Sequence, residues 1–360
     1  MIVKSLELSH FRNYDTLNID FEEGVNIFYG NNAQGKTNIL EAIYLSGTTK
    51  SHKGSKDKEM IQFEKEEAHI RIFIEKRQKK FQIDMHLKKN RSKGIAVNRI
   101  PIKKASELFG ILNIVFFSPE DLNIIKNGPS ERRRFMDMEL CQLDKIYLND
   151  LAKYNKILAQ RNKLLKDINF RPDLKDTLFA WNLQLMNYGK RIIKRRREFI
   201  KQLNEIVQGI HYSISGDTEE MILQYEPNTE EDCFEEELNR VCEKELKLGQ
   251  TMAGPHRDDI SFYGNGVDIR KFGSQGQQRT LALSLKLSEI ELVKQVTKDS
   301  PILLLDDVLS ELDSSRQNYL LNQIGNTQTM ITCTGLDEFI RNRFQINRVF
   351  EVSNGMVSHK

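Results

Sequence analysis

Lys36 and Thr37 close the stretch Gly30-Asn31-Asn32-Ala33-Gln34-Gly35-Lys36-Thr37, which has the G-x-x-x-x-G-K-[ST] spacing of a phosphate-binding loop. Gly30 and Gly35 let the backbone curl so that successive N–H groups aim at one anion. A lysine in that place reaches the β- and γ-phosphates of a nucleotide, and the threonine hydroxyl holds Mg²⁺. Far along the chain, the apolar run Ile302-Leu303-Leu304-Leu305 ends in the paired carboxylates Asp306 and Asp307. Asp306 suits a place beside the Mg²⁺, and Asp307 suits polarising an attacking water. Adjacent strand residues point to opposite faces, so one shared site and a ligand plus a helix cap both stay open. A third device is Gly273-Ser274-Gln275-Gly276-Gln277-Gln278-Arg279, where a serine hydroxyl and free N–H groups open a long helix and suit an anion. Serine caps many ordinary helices, which makes this motif the least specific of the three.

These groups need a sheet to carry them. VNIFY before the loop reads as a short buried strand, and Ile39, Leu40, Ile43 and Tyr44 after it seat a helix on an apolar sheet. The expected cradle is Gly30, Asn31, Asn32, Ala33, Gln34, Gly35, Lys36, Thr37 and Asn38. Residues 2–29 form three strands, and between the first two stand Arg12 and Asn13. A contact to base or phosphates and a plain turn exposing a charge are both open there. Residues 68–101 alternate with period two and predict an antiparallel meander with basic connections. Lys76, Arg77 and Lys79 among them are candidates for a phosphate backbone, with solubilising edge lysines as the alternative. ILNIVFFSPEDL at 111–122 predicts another buried strand, and TMITCT at 329–334 a further one.

From Glu131 the pattern turns helical. Leu140, Leu143, Tyr147, Leu151, Tyr154, Leu158 and Leu165 recur at spacings of three, four or seven. After a break at 169–172, Leu174, Leu178, Trp181, Leu185, Tyr188 and Ile192 form a heptad seam. Two helices of about 35 residues, each roughly 50 Å long, are expected to pack as an antiparallel hairpin. The arm carries Arg132-Arg133-Arg134 and a second run with Arg191, Lys194, Arg195 and Arg196. Residues 126–210 hold 19 Lys/Arg against 10 Asp/Glu, whereas 217–245 hold 2 against 12, so a basic face for nucleic acid beside an acidic segment is one reading. Solvated helices rich in charge are the other. Met221–Tyr225 reads as a strand, the acidic stretch after it as a helix, and ISFY and VDIR as strands. Four scattered cysteines without a C-x-x-C pair fit a reducing compartment and offer no zinc site. No apolar run is long enough for a membrane span, and the first residues lack a signal-peptide core, so a cytoplasmic protein is expected.

The phosphate loop, the Ser274-Gln275-Gly276-Gln277 signature, LLLDD and Ser310-Glu311-Leu312-Asp313 together resemble the ABC-type ATPase head of SMC-like proteins. Within that group, the early phosphate loop, the single arm, Gly128-Pro129-Ser130-Glu131-Arg132-Arg133-Arg134, Gly254-Pro255-His256-Arg257-Asp258-Asp259 and Gln275-Gly276-Gln277-Gln278-Arg279 resemble the RecF family of recombination mediators, over essentially the whole chain. The resemblance implies an α/β P-loop ABC-type head with an antiparallel β subdomain, built from 1–125 plus 247–360, and a helical-hairpin arm at 126–246. It implies an Mg²⁺-dependent ATPase that closes into an ATP-bound homodimer, with Ser274 and Gly276 of one copy capping the nucleotide held by Lys36 and Thr37 of the other. Double-stranded or gapped DNA, RecR-type and RecO-type partners and loading of the RecA recombinase belong to the same implication, as does slow hydrolysis that releases the clamp. Asp307 departs from the Glu of many ABC ATPases, Gln275 from a Gly, and Thr332 and Thr334 stand where a His is frequent. The ATPase subunit of a membrane transporter is the alternative, and a nucleotide-glued structural dimer a third reading. The basic hairpin between Lys36 and Asp306 argues against the transporter.

Overall fold

The structure is a computed structural model that describes residues 1–325, 327–335 and 346–359. The chain divides into two compact units, residues 1–121 with 285–360, and residues 122–284.

The first unit holds two six-stranded sheets. In one, Ile346–Ser353, Val25–Tyr29, Thr329–Cys333, Ile302–Asp306 and Ile114–Phe117 run parallel, and Met356–His359 pairs antiparallel at the edge. The runs ILLLD, TMITC and IVFF are buried at every position, as parallel strands covered on both faces must be. The other sheet is antiparallel, in the order Tyr14–Asp20, Ile2–Phe11, Glu67–Lys76, Lys79–Lys88, Gly94–Val97, Ile100–Pro101. Glu67–Lys76 alternates exposed and buried, so its Ala68, Ile70, Ile72 and Ile74 face the core. Arg77 and Gln78 both take positive φ in its two-residue hairpin turn to Lys79–Lys88. The helix Lys36–Thr48 packs on strands of both sheets, and Ile39, Leu40 and Ile43 share one core with Leu6, Ile72, Phe116 and Leu304. Burying such side chains contributes about 1.5–3 kcal/mol each, which fixes the loop ahead of the helix to a rigid base.

In the second unit, helices Pro129–Leu143, Lys145–Ile168, Leu178–Ile214 and Phe234–Leu248 accompany a three-stranded antiparallel sheet of Val267–Asp268, Asp259–Gly264 and Met221–Glu226. The arm departs from two equal helices. Asp144 interrupts the first: its carboxylate accepts hydrogen bonds from the N–H groups of Ile146 (2.9 Å) and Tyr147 (3.0 Å), and so starts a new helix. The second runs unbroken for 37 residues, about 55 Å. Leu178, Leu185, Ile192 and Phe199 are buried on it at every seventh place, while Trp181 and Tyr188 stay at the rim. VDIR is a strand only over Val267–Asp268, because Asp268 accepts from the Arg270 N–H and turns the chain into a short helix. The expected return to the head at residue 247 also shifts. Asp259–Gly264 pairs along its length with Met221–Glu226, and Arg161 binds Glu245 and Thr251 with no exposure, so residues 247–284 join the arm unit.

Candidate nucleotide-binding site

The loop of residues 30–35 follows a buried strand and ends where Gly35 caps the helix Lys36–Thr48 with φ +114°. Ala33 has φ +64°, a left-handed position that costs a residue with a Cβ about 1 kcal/mol or more. Such alternation turns successive N–H groups inward and makes an anion nest. A Cβ at Gly30 would lie 2.2 Å from the Val352 carbonyl oxygen, and one at Gly35 2.5 Å from Asn13, so only glycine fits either place. Asn13 supports the loop from below: its amide donates to the Gln34 carbonyl (2.9 Å) and its oxygen accepts from Asn38 (2.8 Å). Tyr14 donates to the Gly35 carbonyl (3.0 Å). Asn31, Asn32 and Ala33 form the exposed lip.

Lys36 curls over this cradle and donates to the carbonyls of Gly30 (2.7 Å) and Asn31 (2.8 Å). Burial pushes its ammonium below the ordinary lysine value, against the opposing charges of Asp307 and Asp306. Thr37 donates through Oγ1 to Asp306 Oδ1 at 2.8 Å, across 269 residues of chain. A hydroxyl and a carboxylate side by side form an oxygen donor set for a hard cation, and the curled lysine marks where phosphates fit, so ATP and Mg²⁺ suit this site.

Thr332 is the residue that the motifs left without a role. Its Oγ1 donates to Asp306 Oδ1 (2.8 Å) and accepts from the Asp307 N–H (3.0 Å). It therefore joins the two carboxylate residues from the neighbouring strand, and its register opposite Asp306 could not be read from the chain. Asp307 has φ +54° just past the strand end, which re-aims it relative to Asp306. It interacts with the Lys36 charge, and burial raises its carboxyl above the ordinary aspartate value despite that cation. A base shifted toward the working pH removes a proton more effectively.

Arg12 occupies neither an exposed turn nor the lip. Its guanidinium grips both oxygens of Glu41 (2.7 and 2.8 Å) and donates to the Glu59 carbonyl and to Ser55. Glu41 has no exposure and lies on the helix behind the loop. Burial opposes its ionisation, but hydrogen bonds from Arg12 and Ser51 outweigh that and hold its carboxyl below the usual range. The sign follows: this group adds stability above the unfolded value of about 4.3, and the contribution is lost as pH falls through its lower folded value. Arg12→Ala is expected to destabilise by about 3 kcal/mol at neutral pH, leaving a buried carboxylate alone, and to gain less on raising the pH from 3 to 6 than the parent. Thermal melts across that range check it. An unchanged melting temperature at pH 7 would show the pair to be dispensable.

In the second unit Ser274 precedes the helix Gln275–Thr297, and Ser274 and Gln277 cap each other: Gln277 Oε1 accepts from the Ser274 N–H (2.9 Å) and Ser274 Oγ from the Gln277 N–H (3.2 Å). Ser274, Gln275 and Gly276 are exposed. Glu219, hidden in the acidic run, accepts from Gln277 Nε2 (2.9 Å), and His211 with Ser284 stands behind it.

The basic candidates divide. Arg196 was expected to face DNA, but it is buried at 2% exposure among Asp137, Asp258, Tyr147 and the Pro255 carbonyl. Lys76 likewise turns inward to the Gly110 carbonyl and Asn113. Both are corrections with one cause, since acids and carbonyls brought close in space claim the cation. Arg132 follows them, gripping Asp259 at 5% side-chain exposure. Arg195 is half-buried against Asp144, and Arg77 donates to the Thr297 carbonyl from an exposed turn. Lys79 and Lys194 are exposed.

Fold and site together define a P-loop ATPase head of the SMC-like ABC type. The model of the RecF/RecN/SMC N terminal domain matches residues 2–358. A DNA replication and repair protein RecF from Agathobacter rectalis is 68% identical over 357 residues, 99% of each chain, and one from Lachnospira eligens is 62% identical over 359. The solved structure of RecF with ATP, described in the RecFOR pathway, superposes with a TM-score of 0.93 at 38% identity, covering 99% of this chain and 97% of that one. An Smc head bound to the C-winged helix domain of ScpA matches at 0.58 and 17% identity, a likeness of fold. This chain belongs to the RecF family of DNA replication and repair proteins. Nothing in these matches supports a transporter subunit. Among the described residues no helix is long and apolar enough to cross a membrane.

Proposed function

We propose that this chain is an ATP-dependent DNA clamp of recombinational repair, working in the cytoplasm at single-strand gaps with RecR-type and RecO-type partners. Two copies close head to head over ATP. Residues 30–38 cradle the phosphates, with Lys36 on the β- and γ-phosphates and Thr37 and Asp306 holding Mg²⁺. Bound there, Mg²⁺ neutralises charge developing on the transferred phosphoryl group. Asp307 takes the proton of the attacking water, and Thr332 orients the Asp306 carboxylate and anchors the Asp307 backbone. Asn13 acts on the nucleotide through the loop that it braces, and Arg12 through the helix behind that loop, where it holds Glu41. Ser274, Gln275, Gly276 and Gln277 arrive from the other copy and cap the γ-phosphate. Lys79, Arg77 and Arg195, with Lys194, meet the DNA backbone. Slow hydrolysis reopens the clamp.

The observation that carries this reading is Gly276. Among the described residues outside its own helix backbone, a Cβ there would meet only Ser274 Oγ, at 3.8 Å, so they make no demand for glycine. Glycine in a helix costs about 1 kcal/mol against alanine, and an outside surface pressed onto the helix start accounts for that cost.

The test is nucleotide-dependent sizing with and without gapped duplex DNA, on the parent chain and on Asp307→Asn. ATP is expected to double the mass of both, and DNA to be retained by the doubled species. Asp307→Asn should stay closed at least tenfold longer because hydrolysis is blocked. A mass indifferent to ATP would overturn the two-copy site, and indifference to DNA the clamp.

A further inference from the structure

The outer face of the antiparallel sheet in the first unit carries a group of side chains that the nucleotide chemistry does not use. His69 and His86 stand directly opposite each other on neighbouring strands. Their rings stack with centroids 4.0 Å apart and planes 26° from parallel. Glu67 lies two residues before His69 and so shares its face, and its two oxygens reach toward both rings. Oε2 is 2.9 Å from His86 Nε2, and Oε1 is 3.7 Å from His69 Nε2. One ligand atom from each of the three residues lies within 4.8 Å of the other two. All three remain accessible, with side-chain exposures of 50% for Glu67, 50% for His69 and 32% for His86. The rings border an open groove lined by Ser9, Gln82, Gly94 and Arg99.

We propose that Glu67, His69 and His86 form a site for a divalent transition metal of the zinc class. Two imidazole nitrogens with one carboxylate suit zinc and its borderline neighbours, whereas magnesium and calcium prefer oxygen alone. Around tetrahedral zinc, ligand atoms at 2.0–2.2 Å from the metal sit about 3.3 Å from one another. The observed spacing closes to that by small side-chain rotations, because strand register already fixes both histidines on one face. Water from the groove completes the coordination. The opposed rings gain a reason to be there, since two imidazoles this close repel when protonated and share one metal when neutral. A bound metal ties Glu67–Lys76 to Lys79–Lys88 across the sheet, at the open end of the hairpin whose turn carries Arg77 and Gln78. The scattered cysteines play no part.

Calorimetric titration of the nucleotide-free full chain with zinc chloride alone tests the site. One equivalent is expected to bind, with affinity falling more than tenfold in His69→Asn and in His86→Asn. Co²⁺ in place of zinc should give an absorption band that both variants lose. Unchanged circular dichroism and ATP binding in the variants establish that they fold. Mg²⁺ should not compete at this site. Absence of zinc binding by the parent chain, or equal binding by the parent and both variants, overturns the proposal, the latter assigning the metal to another place such as exposed Cys233.

Discussion

Arg196→Ala is expected to destabilise the second unit by about 3–5 kcal/mol, and to impair DNA binding only through that loss of structure. Burial disfavours the charge of Arg196, and Asp137, Tyr147, Asp258 and Tyr225 outweigh it, so the guanidinium stays ionised. Removing it strands Asp258, which has no exposure and also accepts from the Tyr225 hydroxyl and the Asn228 N–H. A buried carboxylate without its cation is among the largest single-residue costs known for folded chains. For a chain of this size the melting temperature should fall on the order of 10 °C. Lys194→Glu, two residues away on the exposed face, gives the contrasting outcome. Its melting temperature should stay within a degree or two, while the slope of log affinity for duplex DNA against log salt flattens by about one unit. Melting curves and salt titrations of both variants decide the matter. If Arg196→Ala melted like the parent yet lost DNA, the arginine would be a DNA contact after all.

Ser274→Arg is expected to abolish ATP-dependent doubling while one copy still binds nucleotide with unchanged affinity. The side chain stands exposed at the start of its helix, so a bulky cation has room in the single chain and none beneath a partner's phosphate loop. Losing the reciprocal cap with Gln277 costs about 1 kcal/mol, too little to unfold the unit. Gly276→Ala sharpens the comparison. Within one chain it should be neutral or stabilise by up to about 1 kcal/mol, since among the described residues outside its own helix backbone the new methyl meets nothing closer than 3.8 Å. Doubling should nevertheless weaken at least tenfold if a partner surface packs there. Light scattering with a non-hydrolysable ATP analogue, beside a nucleotide titration of each variant, separates the outcomes. Full doubling by both variants would make Ser274 and Gly276 an ordinary helix start.

Much of the nucleotide site was legible because its chemistry is local. A glycine that must take positive φ, a lysine one place before a threonine and an apolar strand ending in acids are each written within eight residues. Strand types were legible for a related reason, since ILLLD is apolar at all but its last place and EAHIRIFIEK alternates, and these periods follow from whether one face or both are covered. The long helix was equally plain from its heptads. Asp144 shows the limit: a single cap residue outweighs an apolar rhythm that runs on across it. Charges were the least legible. Arg191, Lys194, Arg195 and Arg196 look alike in the chain, and only the fold brings Asp137 and Asp258 around one of them and leaves another in water.

What the sequence determined by itself was therefore the phosphate-loop motif, the paired acids that end an apolar strand and the elements that carry both. Tertiary structure alone decided partnership. It set Thr332 between Asp306 and Asp307, Arg12 on Glu41, Glu219 on Gln277 and His69 against His86. These contacts join residues well apart in the chain, from the neighbouring strands of His69 and His86 to the 58 places between Glu219 and Gln277. Their geometry is fixed by strand register and by which side chains the core leaves room for, and no local pattern in the chain encodes either.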